Sequence, residues 1–249
     1  MAPDAIILTI ALGLALGAAG GFFGIGGGLI AIPVLGLCYG MNEQAAQGTA
    51  LVMMAPNVLM GLWKYNRRNR LDGRVAGTLA ASAVACGSLS ATFATRIASH
   101  ELRITFATFI TVIALYLVWR LRWRTSTRTP LAWGWASLVG ATGGFLSGLF
   151  GVGGATIAPP ALTSFFGMTQ TSAQGLSLAL ITPTTIIALM IYAHAGAVDW
   201  AMGLPLAVGG VSGVPVGVAA AHNIPERLLR MLFCFLLSGT AVMLLLANR

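Results

Sequence analysis

A chain of 249 residues that is 57% hydrophobic and 8% charged lies far from the roughly 25% charge content of an ordinary soluble domain, which excludes a water-soluble globular fold. The formal charge of +8 does not point to nucleic acid, because the basic residues fall in short stretches between apolar runs with no aromatic-interleaved domain beside them. Cys38, Cys86 and Cys234 stand singly in apolar segments, a pattern of small-hydrophobe packing rather than metal or disulfide chemistry.

The first segment is the most informative. No basic region precedes it, so no cleaved leader is expected, and no charge interrupts Ala5 to Asn42. As one helix the 36 residues Ala5–Gly40 would reach roughly 54 Å at about 1.5 Å per residue, against a hydrocarbon core of roughly 30 Å. Gly17, Gly20, Gly21, Gly24, Gly26, Gly27 and Gly28 lie in its middle. Two short half-helices joined by a turn are therefore expected, a re-entrant hairpin tolerated at membrane depth only if buried or lining a wet cavity. Helices follow near 44–64, 74–96 and 101–122, then the basic stretch Arg120–Pro130. The second half reads as 131–167, 171–194, 199–221 and 225–247. Pro56 and Pro183 fall mid-helix, where proline removes a hydrogen bond and kinks the axis.

The two halves are one unit written twice. With an offset of 127, Phe23–Leu51 aligns without a gap on Phe150–Leu178 with 14 of 29 positions identical, and Pro56, Tyr65, Asp72, Ile97, Leu102 and Arg103 find Pro183, Tyr192, Asp199, Ile224, Leu229 and Arg230. If each opening segment is a hairpin, the repeats are inverted. Lys64, Arg67, Arg68, Arg70, Arg74, Arg120, Arg122, Arg124, Arg128, Arg227 and Arg230 then lie inside, and Arg96, Arg103 and Arg249 outside, eleven against three. Parallel repeats would give ten against four, so the positive-inside rule favours inversion slightly and the over-long segments decide for it.

A half-helix starting in mid-membrane, after Gly26–Gly28 and again after Gly153–Gly154, presents free N–H groups and a positive dipole end to the interior. Glycine lets backbone approach a ligand closely, so such a turn suits an anion. The rival reading is close helix packing, and a nucleotide loop is rejected because no strand precedes the phrase and no Lys-Ser/Thr follows it. The matched phrases AQGTAL and AQGLSL place Gln47 and Gln174 at the start of the next helix, either as donors to an oxyanion or as helix caps. Thr49, Ser177, Asn57, Thr182, Thr184 and Thr185 share those helices, while Asp72 and Asp199 read as caps of the third. Asp4, Glu43, Asp72, Glu101, Asp199 and Glu226 all sit at segment ends, which disfavours a carboxylate-coupled cation pump. His194 leaves a proton role open, and His100 and His222 read as interfacial bystanders.

FGIGGGLIAIPVL and FGVGGATIAPPAL, with AQGTAL and AQGLSL after them and a basic central linker, make the chain resemble the TauE/SafE family of membrane transporters over nearly its whole length. The resemblance implies export of sulfite or a small organosulfonate such as sulfoacetate, with Gly24, Gly26, Gly27 and Gly28, and Gly151, Gly153 and Gly154, around the substrate path. Ala155 stands where Gly28 does, and Leu176 where Thr49 does, so the two lips are expected to bind unequally.

The expected molecule is an all-α integral membrane protein, multi-pass in the inner (plasma) membrane. It has two homologous inverted repeats of about four membrane segments, at 1–122 and 131–249, joined by a cytoplasmic linker at 123–130. The expected activity is alternating-access export of a small sulfur oxyanion. Binding would fall to Gly24, Gly26, Gly27, Gly28, Gln47, Thr49, Asn57, Gly151, Gly153, Gly154, Gln174, Ser177 and Thr184. The partners are the anion and the lipid bilayer, with no cofactor, metal or nucleic acid. Gly209, Gly210, Gly213 and Gly217 form a small-residue stripe suited either to a homodimer face or to packing within one protomer. The alternatives are uptake of an inorganic sulfur anion such as thiosulfate, with a thiol such as Cys38 in contact, an anion channel, or a non-transporting assembly subunit. An intramembrane enzyme is disfavoured, since HExxH, GxSxG and paired deep aspartates are missing.

Overall fold

The computed structural model describes residues 3–122, 133–151 and 153–246; the linker 123–130 and Arg249 fall outside the described residues. All regular elements among them are helical: α1 (Pro3–Phe23), α2 (Gly28–Cys38), α3 (Glu43–Arg68), α4 (Gly73–Ala94), α5 (Ser99–Arg122), a short 3₁₀ turn at Trp133–Trp135, α6 (Ala136–Phe150), α7 (Gly153–Phe165), α8 (Gln170–His194), α9 (Trp200–Asn223) and α10 (Glu226–Leu246). The starts of α8, α9 and α10 fall 127 residues after those of α3, α4 and α5, the spacing of the duplicated sequence.

Local chemistry fixes these starts. Asn42 and Thr169 accept the Ala45 and Ser172 N–H groups at the heads of α3 and α8. Asp72 and Asp199 accept those of Arg74 and Met202 at 2.9 and 3.1 Å, so both aspartates cap as expected. Gln47 and Gln174 are not caps, because they lie more than one turn inside helices already capped. Pro56 and Pro183 both sit within helices that continue through them.

Five described helices, Asp4–Phe23, Glu43–Arg68, Gly73–Ala94, Gln170–His194 and Trp200–Asn223, are long and apolar enough to cross a membrane. The outer surface is apolar too: Leu8, Leu89, Val216 and Phe235 are at least 65% exposed, a surface suited to lipid rather than water. The break in each opening segment is present, but its arms differ from expectation. α1 has 21 residues, about 31 Å at the α-helical rise, so it is not a half-helix. Gly17 and Gly21 do not interrupt it because they serve contact with α9, at Gly210 and Val214.

The helices interlock across the halves. α3 and α8 lie at the centre and run antiparallel, since the head of each meets the tail of the other through Gln47–Tyr192 and Gln174–Tyr65 hydrogen bonds. α1 lies parallel to α9: Gly209, Gly213 and Gly217 rest on the backbone of Ile10, Leu14 and Ala18. α6 lies parallel to α4 in the same way, with Gly140, Gly144 and Gly148 on Leu79, Ala83 and Gly87. A Cβ at these glycines would strike backbone, and one at Gly210 the Asn57 side chain, so the stripe Gly209, Gly210, Gly213 and Gly217 packs within one protomer. The first helix of each half is thus seated on the other half, and α5 pairs with α10.

Candidate functional site

The first glycine turn is built by residues 24–27. Gly24, Gly26 and Gly27 have φ of 68°, 72° and 94°, the left-handed region that side chains disfavour. The Ile25 N–H closes the turn on the Gly20 carbonyl at 3.0 Å. α2 then starts at Gly28 with Gly27 as its cap and no side-chain hydrogen bond there. The chain folds closely on itself, for a Cβ on Gly27 would lie 2.7 Å from the Leu16 carbonyl oxygen. In the second half Gly151 takes φ of 69°, and α7 starts at Gly153 rather than after Gly154 as expected. Gly154 therefore belongs to the first turn of α7 and rests on Gly143 of α6, the position 127 residues after Leu16.

Each turn is seated on the glutamine of the opposite half. A Cβ on Gly24 would lie 2.6 Å from the Gln174 Cβ, and one on Gly151 3.7 Å from the Gln47 Cβ and 3.8 Å from the Ile32 Cδ1 of α2. The glutamines are then clasped by tyrosines. Tyr192 donates its hydroxyl to the Gln47 Oε1 at 2.6 Å. Tyr65 lies 2.9 Å from the Gln174 Oε1 and 3.0 Å from the Gly21 carbonyl oxygen, and its single proton serves one of them at a time. All four side chains are fully buried. The amide orientations follow from the remaining partners: Gln174 Nε2 donates to the Phe22 carbonyl at 3.4 Å, and Gln47 Nε2 to the Glu43 carboxylate at 3.0 Å.

Asn57 is also brought to the first turn. Its Nδ2 donates to the Gly26 carbonyl at 3.4 Å, while its Oδ1 is buried with no partner. Thr184, at the matching position of α8, donates to the Ile181 carbonyl at 3.0 Å and meets Ser147 Oγ at 3.3 Å. Thr49 and Ser177 are not joined to either turn by a hydrogen bond. Thr49 Oγ1 accepts the Asp199 N–H at 3.0 Å, and Ser177 donates to the Ala173 carbonyl at 2.7 Å.

Three members, the two tyrosines and Glu43, escaped the reading of the sequence. The tyrosine pair was visible as matched positions 127 apart, but nothing local said that each would reach across to the other half's glutamine. Glu43 does sit at a segment end, yet it is only 8% exposed. It borders a cavity of about 220 Å³ between α2 and the heads of α3 and α5, lined also by Asn42, Ser99, His100 and Arg103. Beyond the other clasp lies an imidazole. His222 packs 5.0 Å from the Tyr65 ring and holds the Val218 carbonyl at 2.8 Å through Nδ1, which leaves Nε2 to accept from Asn69 Nδ2 at 3.5 Å.

Relatives share this length and character. A "Probable membrane transporter protein" of Xylella fastidiosa (strain 9a5c) is 27% identical over 252 residues, covering 97% of this chain and 95% of its own. YunE of Bacillus subtilis (strain 168), described in the same words, is 23% identical over 91% of this chain and 92% of its own. MJ0441 of Methanocaldococcus jannaschii, again a probable membrane transporter protein, is 24% identical over 96% and 95%. No solved structure matches at comparable stringency. The family model described as "Sulfite exporter TauE/SafE" spans residues 9–244, and with both glycine turns and nearly every helix inside that span, the chain belongs to this family of membrane transporters.

Proposed function

We propose that the protein exports a small sulfur oxyanion, sulfite or an organosulfonate such as sulfoacetate, across the inner (plasma) membrane by alternating access. The observation that carries the reading is the crossed arrangement of two buried glycine turns, each seated on the other half's glutamine. The anion is held at the N-terminal ends of α2 and α7, where the helix dipole favours negative charge, and at α2 no side chain caps the first N–H groups. The side-chain amide N–H groups of Gln47, Gln174 and Asn57 add donors beside the turns.

Each glycine-broken opening segment is read as a re-entrant hairpin, and the halves as inverted repeats. The antiparallel run of α3 and α8, with α1 parallel to α9 and α6 parallel to α4, supports inversion, because parallel repeats would align equivalent helices in one direction. The pairing of Leu16 with Gly27, and of Gly143 with Gly154, supports the hairpins. With one clasp at each end of the α3–α8 pair, the two faces open alternately. An inside-negative potential drives net negative charge outward by about 2.3 kcal/mol per charge per 100 mV, which favours export of an anion.

Flux from proteoliposomes at a clamped inside-negative potential tests this, with sulfite, sulfoacetate, thiosulfate and sulfate as substrates. Saturable, potential-sensitive efflux of sulfite or sulfoacetate is expected, and a well-folded Gly26→Leu variant should lose it. Absence of flux for every anion, or undiminished flux in the variant, refutes the assignment. Transport of thiosulfate alone would favour the uptake reading.

A further inference from the structure

The cavity beside the head of α3 stands behind the Gln47–Tyr192 clasp. Asn42, Glu43, Ser99, His100 and Arg103 form its polar wall, and the α2 side is apolar around Ile32 and Pro33. Glu43 receives Gln47 Nε2 at 3.0 Å, Gln47 receives the Tyr192 hydroxyl, and Gln47 lies against Gly151. A hydrogen-bonded row thus runs from the cavity wall to Gln47, whose carbon chain packs against the second glycine turn. The corresponding place in the other half is built differently. Neutral Gln170 stands where Glu43 does, and Glu226 of α10 accepts its N–H at 3.1 Å while pairing with Arg230 at 3.6 Å.

A small oxyanion suits the size of this cavity, and a guanidinium is the side chain best shaped to hold its oxygens. A buried carboxylate in the same space opposes that anion strongly, since the low dielectric weakens screening. The conflict disappears if a proton arrives with the anion. We propose that this cavity is a docking site on the transport route for a small oxyanion together with one proton. The anion's oxygens face Arg103, and the proton passes from solution at the cavity mouth to the Glu43 carboxylate. The other charged or titratable groups facing Glu43 are Arg103 and His100 of α5 and, beyond Gln47, Tyr192 of α8; the α2 wall contributes none. The cavity's place on a route rests on the transporter reading above, but binding and proton uptake do not need transport to be measured.

The test is calorimetric titration of the purified full-length protein with sulfite, sulfoacetate and methanesulfonate. It is run at about pH 6 and about pH 8, in buffers of different ionisation enthalpy that report proton uptake. Native protein should bind at least one anion about tenfold or more tighter at the lower pH, with about one proton taken up. Subtracting the Glu43→Gln titration removes sulfite's own protonation. Glu43→Gln should keep the tight affinity at both pH values and lose the proton uptake, and Arg103→Gln should weaken binding about tenfold or more. No binding by native protein, proton uptake unchanged in Glu43→Gln, uptake abolished only in His100→Gln, or unaltered affinity in Arg103→Gln would each overturn the proposal. Proton-linked binding without flux in liposomes would sink the transporter reading and spare the site. Flux without proton-linked binding would do the reverse.

Discussion

Gly24 and Gly151 occupy equivalent positions in the repeat and have nearly equal φ, 68° and 69°, yet alanine should be far worse at one than at the other. Placing a Cβ in the left-handed region costs about 1–2 kcal/mol at either site. At Gly24 the new atom would also lie 2.6 Å from the Gln174 Cβ and 3.2 Å from its Cα, atoms anchored to a central helix that cannot rotate away. Such overpacking adds about 1–3 kcal/mol. At Gly151 the nearest atoms are 3.7 to 3.9 Å away, ordinary contact that adds nothing. Gly24→Ala should therefore lose about 2–5 kcal/mol and Gly151→Ala about 1–2. Reversible unfolding of both variants in mixed micelles measures the difference. Because the clash falls on Gln174, flux should also drop more in Gly24→Ala than in Gly151→Ala. Equal destabilisation, or a milder Gly24→Ala, would refute the placement of the first turn on α8.

Tyr192→Phe should cost about 1–3 kcal/mol by leaving the buried Gln47 oxygen without its donor. A cycle with Gln47→Leu should recover a coupling of about 0.5–3 kcal/mol; additive single effects would remove the clasp. Thr49→Val should destabilise by about 1–3 kcal/mol through the orphaned Asp199 N–H, with the half-saturation concentration of the transported anion unchanged. A shift in that concentration would restore Thr49 to the binding set. Asp72→Ala and Asp199→Ala should each lower stability by about 0.5–2 kcal/mol in a thermal melt. Fragments 1–122 and 133–249, co-expressed with a tag on one, should purify as an equimolar pair because α1 needs α9 and α6 needs α4; recovery of either half alone as a folded monomer would contradict the interlock.

The fold class was legible because bilayer crossing demands long apolar helices, and that demand is written in the composition and the charge-free runs. The glycine breaks were legible for a similar reason: a stretch as long as Ala5–Gly40 cannot be one crossing, and only glycine populates the conformation that its turn needs. What stayed hidden was the pairing between halves. Sequence spacing on one helix says nothing about which remote helix lies opposite, so nothing local announced that Tyr192 and Tyr65 would reach Gln47 and Gln174. The contact made by Thr49 stayed hidden for a related reason. It shares a helix with Gln47 but is used by the loop before α9, a contact that no local pattern announces. The small-residue stripe on α9 was ambiguous because close packing looks alike within a protomer and between two.

The crossed clasps depend on α3 and α8 running in opposite senses. In two helices running the same way, Gln47 would meet Gln174 and Tyr65 would meet Tyr192, like facing like. Antiparallel α3 and α8 instead bring one donor and one acceptor together at each end, from the same two residue types. Each such bond contributes only about 0.5–1.5 kcal/mol net, so either end can be broken at little cost. Symmetry alone would leave no preference between them. The two ends differ in what stands behind the glutamine, a carboxylate at Gln47 and a backbone carbonyl at Gln174. The first can gain or lose a charge directly beside its glutamine, whereas at the other end the titratable group, His222, stands behind the tyrosine.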